Sequence, residues 1–423
     1  MEHLSHESDF TVYYRAATAI LNGQSPYENP AYFYPPVVAF LMAPFALTDY
    51  VTARWIWFLL SHGFLLSAGW LLWRAAGRGR MALCSIAGVW AFGGAARETL
   101  DVGQMGPLLV LIIVIAYTQR AQLREIAVGI GFVLKYIPGV LALALILNRR
   151  RAMVTLAWVT LLGVVLPWLV LLWAFPGEKA PVSGHYWMGT PDMFSWSIPS
   201  VVLRILDPYT RGASLPHNWE FGHEAALLQL APALRWISVS AAIVTLSAGI
   251  VALLLVCRGR LSREQMPWAM IGLVSLSLAA APVCWTHYQI LQYPGVALLL
   301  IHSIHLRAWR MTAVVIACFA LAYQFPQAAL TNYYDQHGGW TDVSPAMLYT
   351  WTSVPAFACL GLFGLALWNV KIAGRQMSLE GDAAAHLPPV SVGAGQDDKR
   401  PVLDAVANLV ACPMRSSDRA LRE

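Results

Sequence analysis

Ten stretches of nearly continuous apolar sequence decide what this chain can become. They run over about 51–73, 81–97, 104–119, 125–147, 152–175, 233–257, 267–284, 286–306, 309–329 and 346–370. Roughly 20 apolar residues span the hydrocarbon core of a bilayer as a helix. In that solvent each backbone N–H and C=O must be satisfied internally, so stretches this long and this many predict an all-α polytopic membrane protein. Only 12% of the 423 residues are charged, against about 25% in soluble chains. The 18 tryptophans fit the same reading, because Trp and Tyr favour the membrane–water interface. The net charge of +5 sits in short arginine clusters and forms no basic face, which argues against a nucleic-acid partner. Of Cys84, Cys257, Cys284, Cys318, Cys359 and Cys412, none has metal-ligand spacing, and the five in apolar segments read as small core residues. The polar start carries no cleavable signal-peptide pattern.

Basic loops orient the spans. RAAGRGR (74–80), QRAQLR (119–124), NRRR (148–151), RGRLSR (258–263), RAWR (307–310) and KIAGR (371–375) are all placed in the cytoplasm. Parity then holds everywhere except at 125–147, where one crossing would put QRAQLR and NRRR on opposite sides. Within that segment Pro138 follows Lys135-Tyr136-Ile137. Proline lacks a backbone donor and disfavours helix in the residue before it. The segment is therefore read as two half-length pieces, about 125–134 and 137–147, that dip toward the outer side and return with Lys135 near the apex. The alternative is one kinked span that flouts the charge rule. The expected architecture is about nine full spans plus this broken-helix hairpin. Its parts are an extracytoplasmic first loop with juxtamembrane helices (1–50), a transmembrane region (51–375) that includes an outer loop at 176–232, and a disordered cytoplasmic tail (376–423). Residues 37–47 are too short to span and read as a helix lying on the outer face.

The residues with chemical potential then share one side. Asp9 opens the helix-like run DFTVYYRAATAIL. It reads either as a helix N-cap or as a general base at the bilayer surface. Arg97, Glu98 and Asp101 sit at the outer end of a span, where charges are either functional or harmlessly snorkelling. Lys135 is the one lysine inside an apolar stretch, and such a cation should face a cavity or an anion. His287 follows Trp285 in an outer turn, as a proton carrier, a phosphate donor or a structural histidine. Glycine-rich nucleotide loops, HExxH and paired cysteines are all missing from the sequence. No soluble nucleotide donor, cofactor or metal is expected.

The order of motifs resembles a known family. Asp9-x3-Tyr13, Ala17-x3-Leu21-x-Gly23-x2-Pro26-Tyr27 and Tyr34-Pro35-Pro36 resemble the opening of glycosyltransferase family 87. VGQMGPLLVLIIV (102–114), VLKYIPGVLAL (133–143), WSIPSVVLRIL (196–206) and APVCWTHYQILQYPG (281–295) follow in the family's order. The resemblance covers roughly 9–370 and implies a type C membrane glycosyltransferase fold with its active site in extracytoplasmic loops. It implies a multi-pass protein of the cell membrane, acting as a monomer among membrane lipids. The implied activity moves a hexose, mannose first, from a polyprenyl-phosphate donor to a lipid or glycan hydroxyl, with inversion and without metal. Asp9 matches the family's catalytic acid. The family carries a membrane helix ahead of this loop, whereas eight residues precede Asp9, so that helix is expected either upstream of Met1 or lost.

In that reading the phosphate is already a good leaving group, and one base suffices, unlike the carboxylate pair of glycosidases. Cations aimed at the departing phosphate would stabilise the transition state. Lys135, His287 and Arg97 are the candidates. Tyr13, Tyr14, Tyr27, Trp285, Asp101 and Gln104 are the candidate sugar and acceptor contacts. The rival reading is a polytopic transporter or lipid flippase. It predicts internal repeats of the spans, which the sequence lacks.

Overall fold

Alternating apolar stretches and basic turns give a helical chain in the computed structural model. It describes residues 8–29, 32, 34–135, 137–148, 152–176, 195–206, 232–281, 284, 286–337 and 345–385. The first helices are α1 (Asp9–Leu21), α2 (Pro36–Met42), α3 (Tyr50–Ala75), α4 (Arg80–Phe92), α5 (Gly94–Asp101) and α6 (Gly106–Thr118). Then come α7 (Ala121–Leu134), α8 (Leu141–Asn148), α9 (Ala152–Thr160), α10 (Leu166–Ala174) and α11 (Ile198–Leu206). The rest are α12 (Pro232–Cys257), α13 (Met266–Ala280), α14 (Tyr293–His305), α15 (Trp309–Phe319), α16 (Phe325–His337) and α17 (Pro345–Ala385). A π-helical turn over Leu161–Val165 joins α9 to α10, and another over Ala320–Gln324 joins α15 to α16. Among the described residues there is no β-strand.

Five helical stretches are long and apolar enough to cross a membrane: Tyr50–Ala75, Ala152–Ala174, Trp236–Cys257, Trp309–Ala329 and Ser353–Arg375. Leu162, Leu169 and Trp173 on α9–α10, and Val244 and Leu255 on α12, are exposed. Helices apolar all round that leave such side chains uncovered are solvated by lipid rather than water. The protein is thus a multi-pass helical membrane protein. The remaining apolar stretches make shorter helices, because local chemistry interrupts them. Gly93 separates α4 from α5, and Pro107 sits in the first turn of α6. The 286–306 stretch divides into a 3-10 helix, Thr286–Gln292, and α14.

The 125–147 segment is broken where proline predicts. Helix α7 stops at Leu134, and Lys135 adopts an extended conformation (φ −159°, ψ 131°). A 3-10 turn over Ile137–Val140 then leads into α8. The two limbs lie close. A Cβ on Gly131 would stand 2.9 Å from the Pro138 Cβ, and one on Gly139 would stand 2.3 Å from the Phe132 ring. Both ends of the broken segment reach the same loop. At its start Arg124 Nη1 donates to Met266 Sδ at 2.7 Å, and at its end Asn148 Nδ2 donates to the Leu261 carbonyl at 2.9 Å. Gln265 Nε2 meanwhile donates to the Val370 carbonyl at 3.0 Å. The basic loops at 119–124, 258–263 and 371–375 therefore gather at one end of the bundle. A segment that starts and finishes there goes in and comes back.

The opposite end collects α1, the α5–α6 turn, Lys135 and the Thr286–Gln292 turn. The expected juxtamembrane helix at 37–47 is realised as α2 and a 3-10 turn over Phe45–Leu47. Its Tyr32 anchor is buried, with the phenol donating to the Pro35 carbonyl and accepting from the Ala39 amide, each at 2.9 Å. The tail expected to be disordered from 376 is helical as far as Ala385, since α17 simply continues. Gln, Met, Leu, Glu and Ala in that stretch are all good helix formers. Most of the outer loop at 176–232, and the tail from 386, lie outside the described residues.

The gathering of basic loops makes a topological prediction. In a background without native cysteines, reporters placed at Gln122, Arg260 and Lys371 respond alike to an impermeant thiol reagent. A reporter at Asp101 responds oppositely. Labelling of Gln122→Cys and Arg260→Cys from different sides would contradict the returning hairpin.

Candidate active site

The site starts from a helix cap. Ser8, not Asp9, caps α1: its hydroxyl accepts from the Thr11 amide at 3.3 Å. Asp9 is the first helical residue, where an acid also suits the helix dipole. The N-cap reading of Asp9 is therefore corrected, and its carboxylate is free for another partner. That partner is Gln104, whose Nε2 donates to Asp9 Oδ2. The other end of the same amide, Oε1, accepts from Tyr13 Oη at 3.0 Å. Burial, together with nearby Tyr34 and Asp9, pushes the Tyr13 phenol above its ordinary pKa, which keeps it a neutral donor. Gln104 itself is only 2% exposed.

The docking of α1 depends on the turn before Gln104. The Phe10 amide donates to the Val102 carbonyl at 3.2 Å, and Trp57 Nε1 donates to the Gly103 carbonyl at 2.9 Å. Gly103 has φ +70°, and a Cβ there would stand 2.6 Å from the Phe10 Cβ. The left-handed conformation and the close approach of α1 both call for glycine.

Lys135 joins this cluster from the apex of the broken helix. Its Nζ lies 3.6 Å from the centre of the Tyr288 ring and 5.6 Å from that of Tyr34. The Tyr34 ring packs edge-on against Tyr13 at 4.8 Å. The Asp9 carboxylate and the Lys135 ammonium act on one another electrostatically. An acid, a cation, an amide and three phenol rings, drawn from five separate stretches of chain, thus converge.

A second group adjoins it. Glu98 accepts from Thr286 Oγ1 and, at 2.7 Å, from Tyr323 Oη. Its Oε1 lies 3.8 Å from His287 Nδ1. Burial alone would raise the Glu98 pKa, but His287, Thr286 and Tyr323 outweigh it and hold the carboxyl below its ordinary value. His287 is 9% exposed, and its Nε2 has no hydrogen-bond partner. Glu98 therefore faces the imidazole at one nitrogen, while the other is buried without a partner. The Thr99 hydroxyl pins the same turn by donating to the His287 carbonyl at 3.1 Å.

The other sequence candidates lie elsewhere. Arg97 and Asp101 pair with one another at 3.7 Å on the exposed side of α5, with side chains 88% and 67% exposed. Tyr14 donates to the Thr48 carbonyl and packs on Tyr50. Tyr27 borders the cluster, donating to the Tyr34 carbonyl at 2.9 Å and stacking on Trp168 at 5.6 Å. Trp285 is outside the described residues. Glu98 stands beside Arg97 and Asp101 in the sequence reading without an assigned role, and its charge at the end of a span is the signal for it. Tyr34 and Tyr288 lie within the motifs Tyr34-Pro35-Pro36 and 281–295, but nothing there singles out their rings. Among the described residues no cluster of metal-ligating side chains occurs.

The depressed Glu98 pKa fixes the sign of a pH effect. Ionised Glu98 adds stability above the unfolded carboxyl value, near 4.5. That contribution is lost as pH falls through the lower folded value. Thermal denaturation in detergent shows Glu98→Gln losing the most, relative to the parent chain, at neutral pH and progressively less on acidification. A difference that grows on acidification would contradict the assignment.

The comparisons fall on this geometry. The model of glycosyltransferase family 87 matches residues 32–195. Asp9 precedes the matched stretch and His287 follows it. Two curated relatives, both α-(1→3)-arabinofuranosyltransferases of Mycobacterium tuberculosis (strains CDC 1551 / Oshkosh and ATCC 25618 / H37Rv), are 28% identical over 211 residues. That alignment covers 45% of this chain and 47% of each relative. The chain thus spans about half the length of the curated relatives it matches. No solved structure matches. The stretch that the family 87 model matches, residues 32–195, supplies Tyr34, Gln104 and Lys135 to the cluster.

Proposed function

We propose that this chain is a membrane glycosyltransferase that moves a sugar from a polyprenyl-phosphate donor to a lipid or glycan hydroxyl. The observation that carries the reading is the convergence of Asp9, Gln104 and Lys135 at the end of the bundle away from the basic loops. Asp9 takes the proton of the acceptor hydroxyl as its oxygen attacks the anomeric carbon. Gln104 holds the carboxylate in place for that task. The bond to phosphate breaks on the opposite face, so the anomeric centre inverts. Charge gathers on the leaving phosphate. Lys135 and the free Nε2 of His287 stabilise it, as preorganised donors do where charge develops. Tyr34 and Tyr288 offer flat faces for a sugar and shield the lysine from water. The active site is extracytoplasmic, in a chain of about nine spans with the type C fold, and the reaction uses no metal.

Two sugars fit this machinery. The sequence resemblance favours mannose, and the activity of the two relatives, α-(1→3)-arabinofuranosyltransferases, favours arabinofuranose. Membranes supplied separately with polyprenyl-phosphate mannose and polyprenyl-phosphate arabinose, each labelled in the sugar, decide between them. Transfer with release of the lipid phosphate from one of the two supports the reading. No transfer from either, by a chain extended to any upstream helix, counts against it.

Two substitutions test the roles. Asp9→Asn keeps size and hydrogen bonding but accepts no proton. Because general base catalysis contributes about 10²–10⁴-fold, turnover falls by that factor while donor affinity holds. Unchanged turnover would remove Asp9 from the chemistry. Lys135→Met gives up a charge-assisted bond worth roughly 1.5–3 kcal/mol. Donor use, measured as kcat/KM, drops about ten- to a hundredfold, and parental kinetics would place the phosphate elsewhere.

A further inference from the structure

The far end of the bundle holds a second unusual cation. Arg124, in the first turn of α7, is 5% exposed, yet among the described residues it has no ion-pair partner within 4 Å. Its Nη2 donates to the Gln119 carbonyl at 3.1 Å, which satisfies the end of α6. Its Nη1 points at a thioether, Met266 Sδ, a weak acceptor. Its Nε has no partner at all. The neighbouring carboxylate, Glu125, acts on it favourably, but less than a like charge, Arg263, acts against it. Glu125 also accepts from Thr155 Oγ1 at 2.9 Å. Arg263 and Arg120 are exposed just ahead of the starts of α13 and α7. Arg120 is the N-cap of α7 and makes no side-chain cap bond, so the first amides of that helix stay available.

A buried guanidinium normally has a counter-charge, because stranding one in a poor solvent is expensive. Here Glu125 forms no ion pair with Arg124 within 4 Å, and the guanidinium lies against a like charge, a thioether and an open helix N-terminus. An anion resolves all three. Helix N-termini favour phosphate, and a guanidinium fork matches its oxygens. Basic pockets between membrane helices commonly take phosphate head groups.

We propose that Arg124, Arg263 and the first turn of α7 form a binding site for a phosphate-bearing anion at the basic end of the bundle, remote from the transfer site. The inference needs only the membrane setting and does not depend on the proposed reaction. The phosphate comes from the head group of an acidic lipid in the adjoining leaflet or from a free anion, and the test separates these.

The full chain is purified in detergent and exchanged into nanodiscs of mixed phosphatidylglycerol and phosphatidylcholine, and retained lipid is counted by native mass spectrometry. Lipid-free detergent samples are titrated with inorganic phosphate and followed by thermal denaturation. The expected result is selective retention of phosphatidylglycerol by the parent chain. Losing a charge-assisted contact weakens binding by roughly tenfold or more in Arg124→Met, with a smaller loss in Arg263→Gln. Because Arg263 is exposed, its variant keeps the test valid if the Arg124 variant does not fold. Saturable stabilisation by inorganic phosphate that both variants lose, with no lipid selectivity, supports the site with a soluble anion as occupant. Lipid and phosphate responses in Arg263→Gln equal to those of the parent chain overturn the proposal. So does a parent chain that prefers neither phosphatidylglycerol nor phosphate.

Discussion

The candidate site depends on the two ends of one amide. Gln104 donates to Asp9 and accepts from Tyr13, and so ties the first turns of α1 to the turn that opens α6. Without that tie Asp9 would be one acid at the start of an amphipathic helix, free to turn toward water. With it, the carboxylate is held against a buried partner that cannot itself titrate. A glutamine suits this place, since it orients a base without competing for the proton. The turn geometry at Gly103 makes the approach possible, and Trp57 locks the same turn from α3. Substituting any of the three would act on the placement of Asp9.

The second constraint is the interrupted helix. A continuous helix over 121–148 would carry Lys135 along one side of a span, where lipid would oppose it. The break places the lysine at an apex, between aromatic faces and near an acid. Cation–π contacts are worth about 2 kcal/mol or more when desolvated. Tyr288 and Tyr34 therefore make the cation tolerable without giving it a permanent counter-ion. In the proposed reaction that cation meets the donor phosphate. At the Glu98–His287 pair one imidazole nitrogen faces the carboxylate and the other is buried without a partner.

Much of this was legible in the sequence, and the limits have physical causes. The helix break followed from Pro138 and the charges flanking 125–147, because proline and basic loops act locally. Asp9 and Lys135 stood out because charge is costly next to lipid. Gln104 and His287 gained weight only through motif order. What the sequence did not show is which neighbour each would choose. Ser8 takes the cap that Asp9 was also suited to take, since capping is decided by backbone angles at one residue. Arg97 looked as promising as Glu98, yet a rotation of about 100° per residue sends one to the exposed face and the other inward. Tyr34 and Tyr288 became site residues through contacts across more than a hundred positions, which no local pattern encodes. The number of full spans was likewise less legible than the apolar runs themselves, since glycine and proline divide several of them into short helices.

In the proposed reaction the leaving phosphate sits between Lys135 and His287, with Asp9 across the anomeric carbon. The most direct measurement is a cryo-electron microscopy structure of the chain in nanodiscs with a polyprenyl-phosphate sugar bound. The expected result is phosphate oxygens within hydrogen-bond reach of Lys135 Nζ and His287 Nε2, and the sugar lying between the phosphate and the Asp9 carboxylate. A phosphate bound elsewhere, with Lys135 still seated on Tyr288 and Asp9 turned away from the sugar, would contradict it.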